Sequence, residues 1–481
     1  MWKQAALGHR RTKPRVFLFS CSDGLEFWKF TFRSHAVELD FWDRISPSTI
    51  RTALLLRQAS YTPMFCRPFV ERSGDDASDA VSNTNFRYQS PRFSRERMMK
   101  FVQVLLVSWL LASSVHAQDE RPFVVIHRQG DDDCHTFRIP AIAVTNDGTL
   151  LAVYDMRYRS RRDLQGHMDI GLSRSTDGGK TWEKPRPIMD MGTFGGLAED
   201  LNGCSDPNIL VDKKTGEVTV SAVWTHGKPG THQWRDRGSE PGLKLSQSSQ
   251  FMMVRSKDEG KSWSEPENWT AKLKNPEWYL FAPAPGNGIT LSDGTLVMPT
   301  QGRDENGLPF SNLMWSRDHG ESWTVSAAAR SDTSECAVAE LSDGRLMLNI
   351  RDNRNRKDKG DTNGRAVSVT EDLGASWKVH SSDHGTLPEP VCMASLLSHK
   401  LADGRSVLFF SNPRSKSKRK KMTVQMSLDD GKTWTTKILL DEDGGAYSSL
   451  VMVDEKTLGI LYESSRADMV FQTIQLQEFG L

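Results

Sequence analysis

Ser175-Thr176-Asp177-Gly178-Gly179-Lys180-Thr181-Trp182 (STDGGKTW) is the stretch that decides how this chain folds. Near-copies follow it: SKDEGKSW from Ser256, SRDHGESW from Ser316, TEDLGASW from Thr370 and SLDDGKTW from Ser427. A motif that returns after roughly fifty to eighty residues marks one supersecondary unit copied around an architecture. Each part of the octet has a turn-forming reason. The Asp carboxylate accepts backbone N–H groups across a tight turn, Gly takes a backbone conformation that other residues avoid, and Trp packs beneath. The GKT and GKS triplets are not phosphate loops, because Arg174, Arg255 and Met426 stand where that motif requires its first glycine. The ligand spacing and terminal Glu of an EF-hand calcium loop are also missing. The octets therefore read as scaffold.

A second repeat lies between them, an apolar strand, a turn and another apolar strand. The turns are NDG at Asn146, KTG at Lys214, SDG at Ser292, SDG at Ser342, ADG at Ala402 and DEKT at Asp454, which predict six β-hairpins. The first five hairpins are each followed by a strand, one octet and another strand, so the unit has four strands. Six units, with residues 121–128 available to complete the last, predict an all-β chain folded as a six-bladed β-propeller of four-stranded antiparallel blades over residues 118–481.

This layout sorts residues onto faces. If every hairpin turn lies on one face, the outer ends of the hairpin strands lie on the other. Arg138, Asp206, Asn287, Glu335 and Tyr447 enter first strands, and Arg157, Arg351, Arg414 and Glu463 leave second strands. The loop after Arg157 carries Asp163 to the same face, and the octets fall on the opposite one. A single charge at a strand end is ordinarily just solvated. Several arginines converging from separate blades repel one another unless an anion or carboxylates offset them, and Arg suits bidentate carboxylate recognition. The expected ligand carries a carboxylate.

With 37% hydrophobic residues the chain can bury a large core, and its net charge of +1 speaks against a nucleic-acid or membrane-surface binder. Met98-Met99-Lys100, the apolar run from Phe101 to Leu111, and Val115-His116-Ala117 read as a signal peptide over 98–117, too short for a comfortable membrane span. Cleavage is expected after Ala117, giving a secreted or periplasmic product without stable membrane insertion. Residues 1–97, Arg-rich and aperiodic, read as a non-native or unstructured extension. Of the cysteines, Cys134, Cys204, Cys336 and Cys392 remain, and no spacing compels them to pair.

Further motifs stand among the repeats: FRIP from Phe137, YDMRYRSRRD from Tyr154, SECAVAEL from Ser334, LNIRDN from Leu348, SNPR from Ser411 and AYSSL from Ala446. With the octets, or Asp boxes, they make residues 121–481 resemble a bacterial exo-α-sialidase, or neuraminidase, of the retaining glycoside hydrolase type. The resemblance implies that Arg138, Arg351 and Arg414 grip the sialic acid carboxylate and that Glu463 orients Arg138. It implies Asp163 as acid/base, Tyr447 as nucleophile and Glu335 as the base that serves it. Arg157 and Asp206 would contact the sugar around C4 and its N-acetyl group. The implied partners are sialylated glycans, with no cofactor and no metal. The acidic run Asp131-Asp132-Asp133 has no counterpart in that pattern. The loop 226–250 carries Trp234, read either as a platform for the leaving group or as a packed surface Trp, and PAPGNG from Pro283 is expected at the pocket edge.

Two other enzyme readings share these residues, a trans-sialidase and a glycosidase for a related nonulosonic acid. A noncatalytic Asp-box propeller is the alternative of another class, and it would lack the combined Tyr447, Glu335 and Asp163. Sialic acid bears its carboxylate on the anomeric carbon, so a carboxylate nucleophile would approach against like charge. Sialidases are the recognised tyrosine exception to the two-carboxylate glycosidase scheme. A free Tyr titrates near about 10 and needs a base to take its proton as it attacks.

Overall fold

Successive residues of a strand face opposite sides of its sheet, and here each side meets a different neighbouring sheet. Ala141, Ala143, Leu151 and Val153 pack with Ile209, Val220 and Trp224 of the next sheet, whereas Ile142, Leu150, Ala152 and Tyr154 pack with Val451, Leu461 and Phe471 of the last. Strands apolar on both faces cannot stand at a surface, so the sheets stack around a ring.

The structure, a computed structural model, describes residues 121–481 except 165, 226–230, 235–237 and 358–362, together with the backbone of Trp28–Arg33 and Ala36–Phe41. The signal peptide read at 98–117 lies outside the described residues. The chain divides into two units, Met1–Val104 and Leu105–Leu481. The first contains an antiparallel pair, Trp28–Arg33 with Ala36–Phe41, which the aperiodic extension does not announce.

The second unit is a six-bladed propeller. Blade 1 is Thr136–Val144, Leu150–Arg157, Met168–Ser175 and Arg186–Met189. Blade 2 begins with Cys204–Val211, blade 3 with Leu280–Pro283, blade 4 with Thr333–Glu340, blade 5 with Ser395–Lys400 and blade 6 with Ser448–Met452. Val124–His127 is the outer strand of blade 6, paired antiparallel with Met469–Gln475, so residues 121–128 do complete the last blade. The hairpins turn where the sequence reading places them. The run Asp131–Asp133 is a short 3-10 turn leading into blade 1, with Asp131 accepting the Arg128 N–H at 2.7 Å. PAPGNG differs from its expectation. Gly286–Asn287 pairs in parallel with Asn208 and Ile209, and Asn287 bonds Ile142 of blade 1 and Ser449 of blade 6. It stitches three blades together, and none of its residues lines the cavity described below.

The octets are built as their composition suggests. Asp177 accepts the N–H groups of Lys180 and Thr181, each at 3.0 Å, and the Thr181 hydroxyl at 2.6 Å, while Trp182 donates its indole N–H to Gly179. A Cβ on Gly179 would run into the Phe471 ring. A further feature is the residue before that glycine. Glu259, His319, Leu373 and Asp430 all hold a left-handed backbone, with φ between 54° and 61°. Three of their side chains reach the hairpin turn of the preceding blade: Glu259 to Thr149 at 2.9 Å, His319 to Asp212 at 2.7 Å and Asp430 to the Ser342 N–H at 3.0 Å. Octets and hairpin turns therefore share one face and sew neighbouring blades together. Cys134, Cys204, Cys336 and Cys392 are buried and free.

The octet aspartates carry a pH signature. Hydroxyl and backbone donors, the Ser322 hydroxyl foremost at Asp318, hold Asp177, Asp258, Asp318 and Asp372 down at about 2. A depressed carboxylate stabilises the fold above its unfolded value of about 3.9 and loses that contribution as pH falls toward about 2. The octet contribution to the melting temperature is therefore constant from neutrality to about pH 5 and is lost below about pH 4. Asp318→Ala should lower the neutral-pH melting temperature by a few degrees, flatten the acid limb, and leave turnover per folded molecule within about twofold. Calorimetry across pH, with rates normalised to folded protein, checks all three.

Candidate active site

Three inner strands open with an irregularity that aims a side chain. Register slips occur between Arg138 and Ala141, between Ser205 and Asn208, and between Thr333 and Cys336. Ile139 and Asp206 sit there with φ of 60° and 59°, and Asp332 with 53°. Non-glycine residues hold such a backbone only where the surroundings impose it, and β-bulges are a common means of re-aiming a side chain at a site. Arg138, Asp206 and Glu335 are the residues so presented, and all three line a cavity of about 940 Å³ together with Asp163, Arg351 and Tyr447.

At its floor Tyr447 packs against Ile139, Cys392 and Met393. Its hydroxyl donates to Glu335 Oε1 and accepts from Arg351 Nη1 at 2.9 Å, and the same guanidinium nitrogen donates to Glu335 Oε2. Burial and the Glu335 charge push the Tyr447 phenol well above its usual range, against the pull of Arg351 and Arg419. The phenol is neutral at rest, with its proton already in a bond to a carboxylate. The guanidinium carbons of Arg138 and Arg419 lie 5.4 and 5.3 Å from the centre of its ring.

Arg138 is held by Glu463, Nε to Oε1 at 3.1 Å and Nη2 to Oε2 at 3.3 Å, and the same carboxylate accepts the Ile139 N–H at 3.0 Å. Glu463 thus stands behind Arg138, as the resemblance implies. Asp163 accepts from Arg157 at 2.9 Å and from Arg138 at 3.4 Å, with His232 Nε2 at 3.8 Å from its other oxygen. Burial raises its carboxyl, but the His232 contact and the charges of Arg157 and Arg138 outweigh burial and hold it well below the usual range. Asp206 goes the other way. Burial and the nearby charges of Asp155, Glu335 and Asp163 push it well up, so it faces the cavity as a neutral acid able to donate a hydrogen bond.

Two sequence expectations change. Arg414 is exposed and does not line the cavity, whereas Arg419 does. The reason is a loop: Pro413 pairs with Met422 and the Arg414 N–H bonds Lys421 O at 3.0 Å, so residues 415–420 project beyond the strand end and carry the arginine with them. Arg157 is 1% exposed and does not open onto the cavity. Asp155 takes its Nη2 at 2.8 Å and Nε at 3.1 Å, and Asp163 and the Arg161 carbonyl take Nη1. Arg157 thus holds Asp163 from below.

Residues that the sequence reading passed over include Asp155, which also accepts from Ser205 at 2.6 Å and from the Asp206 N–H at 3.1 Å. Its position two before Arg157, on the same strand face, was the available signal. His232 and Gln301 also line the cavity, with no sequence signal. Trp234 is half-buried, lines the cavity, and packs on the cluster of Leu164, Val223 and Leu280. Among the described residues no group of His, Cys, Asp and Glu is arranged to hold a metal ion.

Comparison with known proteins agrees with this geometry. The BNR repeat-like domain model matches residues 148–460. A sialidase of Bacteroides fragilis is 48% identical over 366 residues, covering 75% of this chain and 66% of that protein. A sialidase of Micromonospora viridifaciens is 32% identical over 345 residues, 69% of this chain and 50% of that protein. The chain thus spans between half and two thirds of the length of these relatives. Among solved structures, a Hadza microbial sialidase superposes with a TM-score of 0.71 at 44% identity, over 74% of this chain and 68% of that one. The chain belongs to the BNR repeat-like domain family and, within it, groups with the sialidases.

Proposed function

We propose that the chain is an exo-α-sialidase that releases terminal sialic acids from sialylated glycans with retention, through a tyrosyl-enzyme intermediate. The observation that carries this reading is the buried Tyr447 hydroxyl held between Glu335 and Arg351. A structural tyrosine needs no such pair, and a binding propeller has no use for a phenol poised to lose its proton to a carboxylate.

Arg138, Arg351 and Arg419 surround the Tyr447 ring and offer three guanidinium groups to the substrate carboxylate. Gripping it fixes the sugar so that the anomeric carbon faces Tyr447. As the phenol oxygen attacks, Glu335 takes its proton and Arg351 stabilises the phenolate charge that develops. Asp163 protonates the departing oxygen, then activates water for the second displacement, and two inversions give net retention. At rest Asp163 is ionised by its arginine and histidine neighbours. A substrate carboxylate on Arg138 offsets part of that positive charge, which lets Asp163 take up the proton it must deliver.

Tyr447→Phe is expected to slow release of sialic acid from a fluorogenic α-sialoside by more than about a hundredfold. In the wild type, NMR of the first-formed sugar should show the α anomer. An initial β anomer would sink the double displacement. Asp163→Ala should cost about 10²- to 10⁴-fold on sialyllactose, whose leaving alcohol needs a proton, and far less on a 4-nitrophenyl sialoside. Equal losses on both substrates would remove Asp163 from the acid role.

A further inference from the structure

Across the whole chain 62 Lys and Arg nearly balance 61 Asp and Glu, yet one wall of the cavity mouth is strongly unbalanced. Residues 414–421 read RSKSKRKK, six cations without an acid, on the loop whose Arg419 lines the cavity. Beside it, Arg354, Arg356 and Lys357 line the same cavity from blade 4. Blade 4 is tied to the loop farther along its chain, where the Asn363 amide donates to Lys416 O at 2.9 Å. Arg354 pairs with Asp352 at 2.7 Å and feels the charge of Asp332, which lines the same cavity, and Lys421 pairs with Glu442 at 3.2 Å. Among the described residues no carboxylate pairs with Arg356, Lys418 or Lys420.

One sialic acid carries one carboxylate, and Arg138, Arg351 and Arg419 already serve it. The remaining cations are surplus to that task, and substrate chemistry says where they stand. In a sialoside the carboxylate and the scissile oxygen are borne by the same carbon, so the loop that brings Arg419 to the carboxylate also flanks the exit of the leaving group. We infer that Arg354, Arg356 and Lys357 of blade 4, with Lys418 and Lys420 of the neighbouring loop, form a second anion subsite, for an acidic group on the sugars next to the scissile bond. The preferred substrates then carry two negative charges, the second being the carboxylate of an internal sialic acid or a sulfate ester. This rests on the sialidase reading above and extends it from the terminal residue to the leaving group. Exposed cations of this kind act collectively through the field at the cavity mouth, and the field weakens as the screening length falls from about 30 Å at 0.01 M salt to about 8 Å at 0.15 M.

The test compares kcat/KM on 3′-sialyllactose, on α2,8-disialyllactose and on a 6-sulfated 3′-sialyl-N-acetyllactosamine, for the wild type and for Lys418→Gln/Lys420→Gln. At low salt the wild type should prefer at least one doubly charged substrate by about tenfold. Most of that preference should vanish at 0.5 M NaCl and in the variant, whose rate on 3′-sialyllactose should stay within about twofold. Preference for the disialyl arm alone assigns the subsite to a carboxylate, and for the sulfated arm alone to a sulfate. Equal rates on all three substrates in the wild type, or an undiminished preference in the variant, overturn the inference while leaving the sialidase reading intact. If no sialoside is turned over, the parent reading fails. Calorimetric affinities for the same oligosaccharides then decide the subsite on the same criteria.

Discussion

The site depends on the closure of the ring. Val124–His127 adds itself to Met469–Gln475, and blade 1 packs directly beside blade 6, with the Ile142 N–H donating to the Ser449 hydroxyl at 3.1 Å. Arg138 and Glu463, separated by 325 positions in sequence, then meet across the seam at 3.1 Å. His127 deepens the joint by stacking on Phe137 at 4.2 Å and reaching the Tyr154 hydroxyl at 2.7 Å, and burial lowers it to about 4, so it stays neutral inside the apolar seam. Without the closure Arg138 would face an open edge and lose the carboxylate that stands behind it.

Within the closed ring three of the arginines near the axis have carboxylate partners before substrate arrives, whereas Arg419 donates to the Val391 carbonyl, at 3.4 Å. Arg138 leans on Glu463, Arg351 on Glu335, and Arg157 on Asp155 and Asp163. Leaving one member of a buried pair uncompensated costs about 3–5 kcal/mol, which is why the carboxylates are as much a part of the site as the arginines. A second layer extends the scheme. Arg365 and Glu389 form a pair with no exposed side-chain surface, and Glu389 also accepts the Asp352 N–H at 2.8 Å and the Asn355 amide at 2.9 Å. That pair fixes the backbone directly after Arg351 and anchors the segment that carries Arg356. The opposed shifts of Asp163 and Asp206 have the same logic: at Asp163 the neighbouring His232, Arg157 and Arg138 outweigh burial, whereas at Asp206 burial acts first and the neighbouring carboxylates add to it.

What the sequence shows is what is periodic. The octets and hairpin turns counted the blades, and the strand order they imply placed each strand end on one face of the disc or the other. Tyr447, Glu335, Arg351, Arg138 and Asp163 followed because strand ends in a propeller have fixed faces. What is aperiodic was not legible. Nothing in FRIP reveals that Ile139 adopts a left-handed backbone, since no composition rule places a β-branched residue there. Arg414 was assigned by its position at a strand exit, but the loop after Pro413 projects, and only the Pro413–Met422 pairing shows that the arginine at the cavity is Arg419. Arg157 was placed at the correct end of its strand, yet a linear reading does not show that Asp155, two residues earlier, would take it out of the cavity. The longest insertion, around His232 and Trp234, has no repeat to compare with and kept its contacts to itself.

The pairing that seals blade 6 also sets an order of events. Its outer strand, Val124–His127, is made before any other strand of the propeller, and its partner, Met469–Gln475, after every other. A chain emerging from the ribosome can stack blades 1 to 5 as they appear, but the first strand has no partner until the last is delivered. Contacts so distant in sequence form late and slowly. Until then Val124–His127 is a strand without a partner, a segment prone to pairing with other chains. Delivery of Met469–Gln475 is therefore the propeller's most vulnerable moment, and Tyr447 joins Arg351 only in the same stretch of chain that closes the ring.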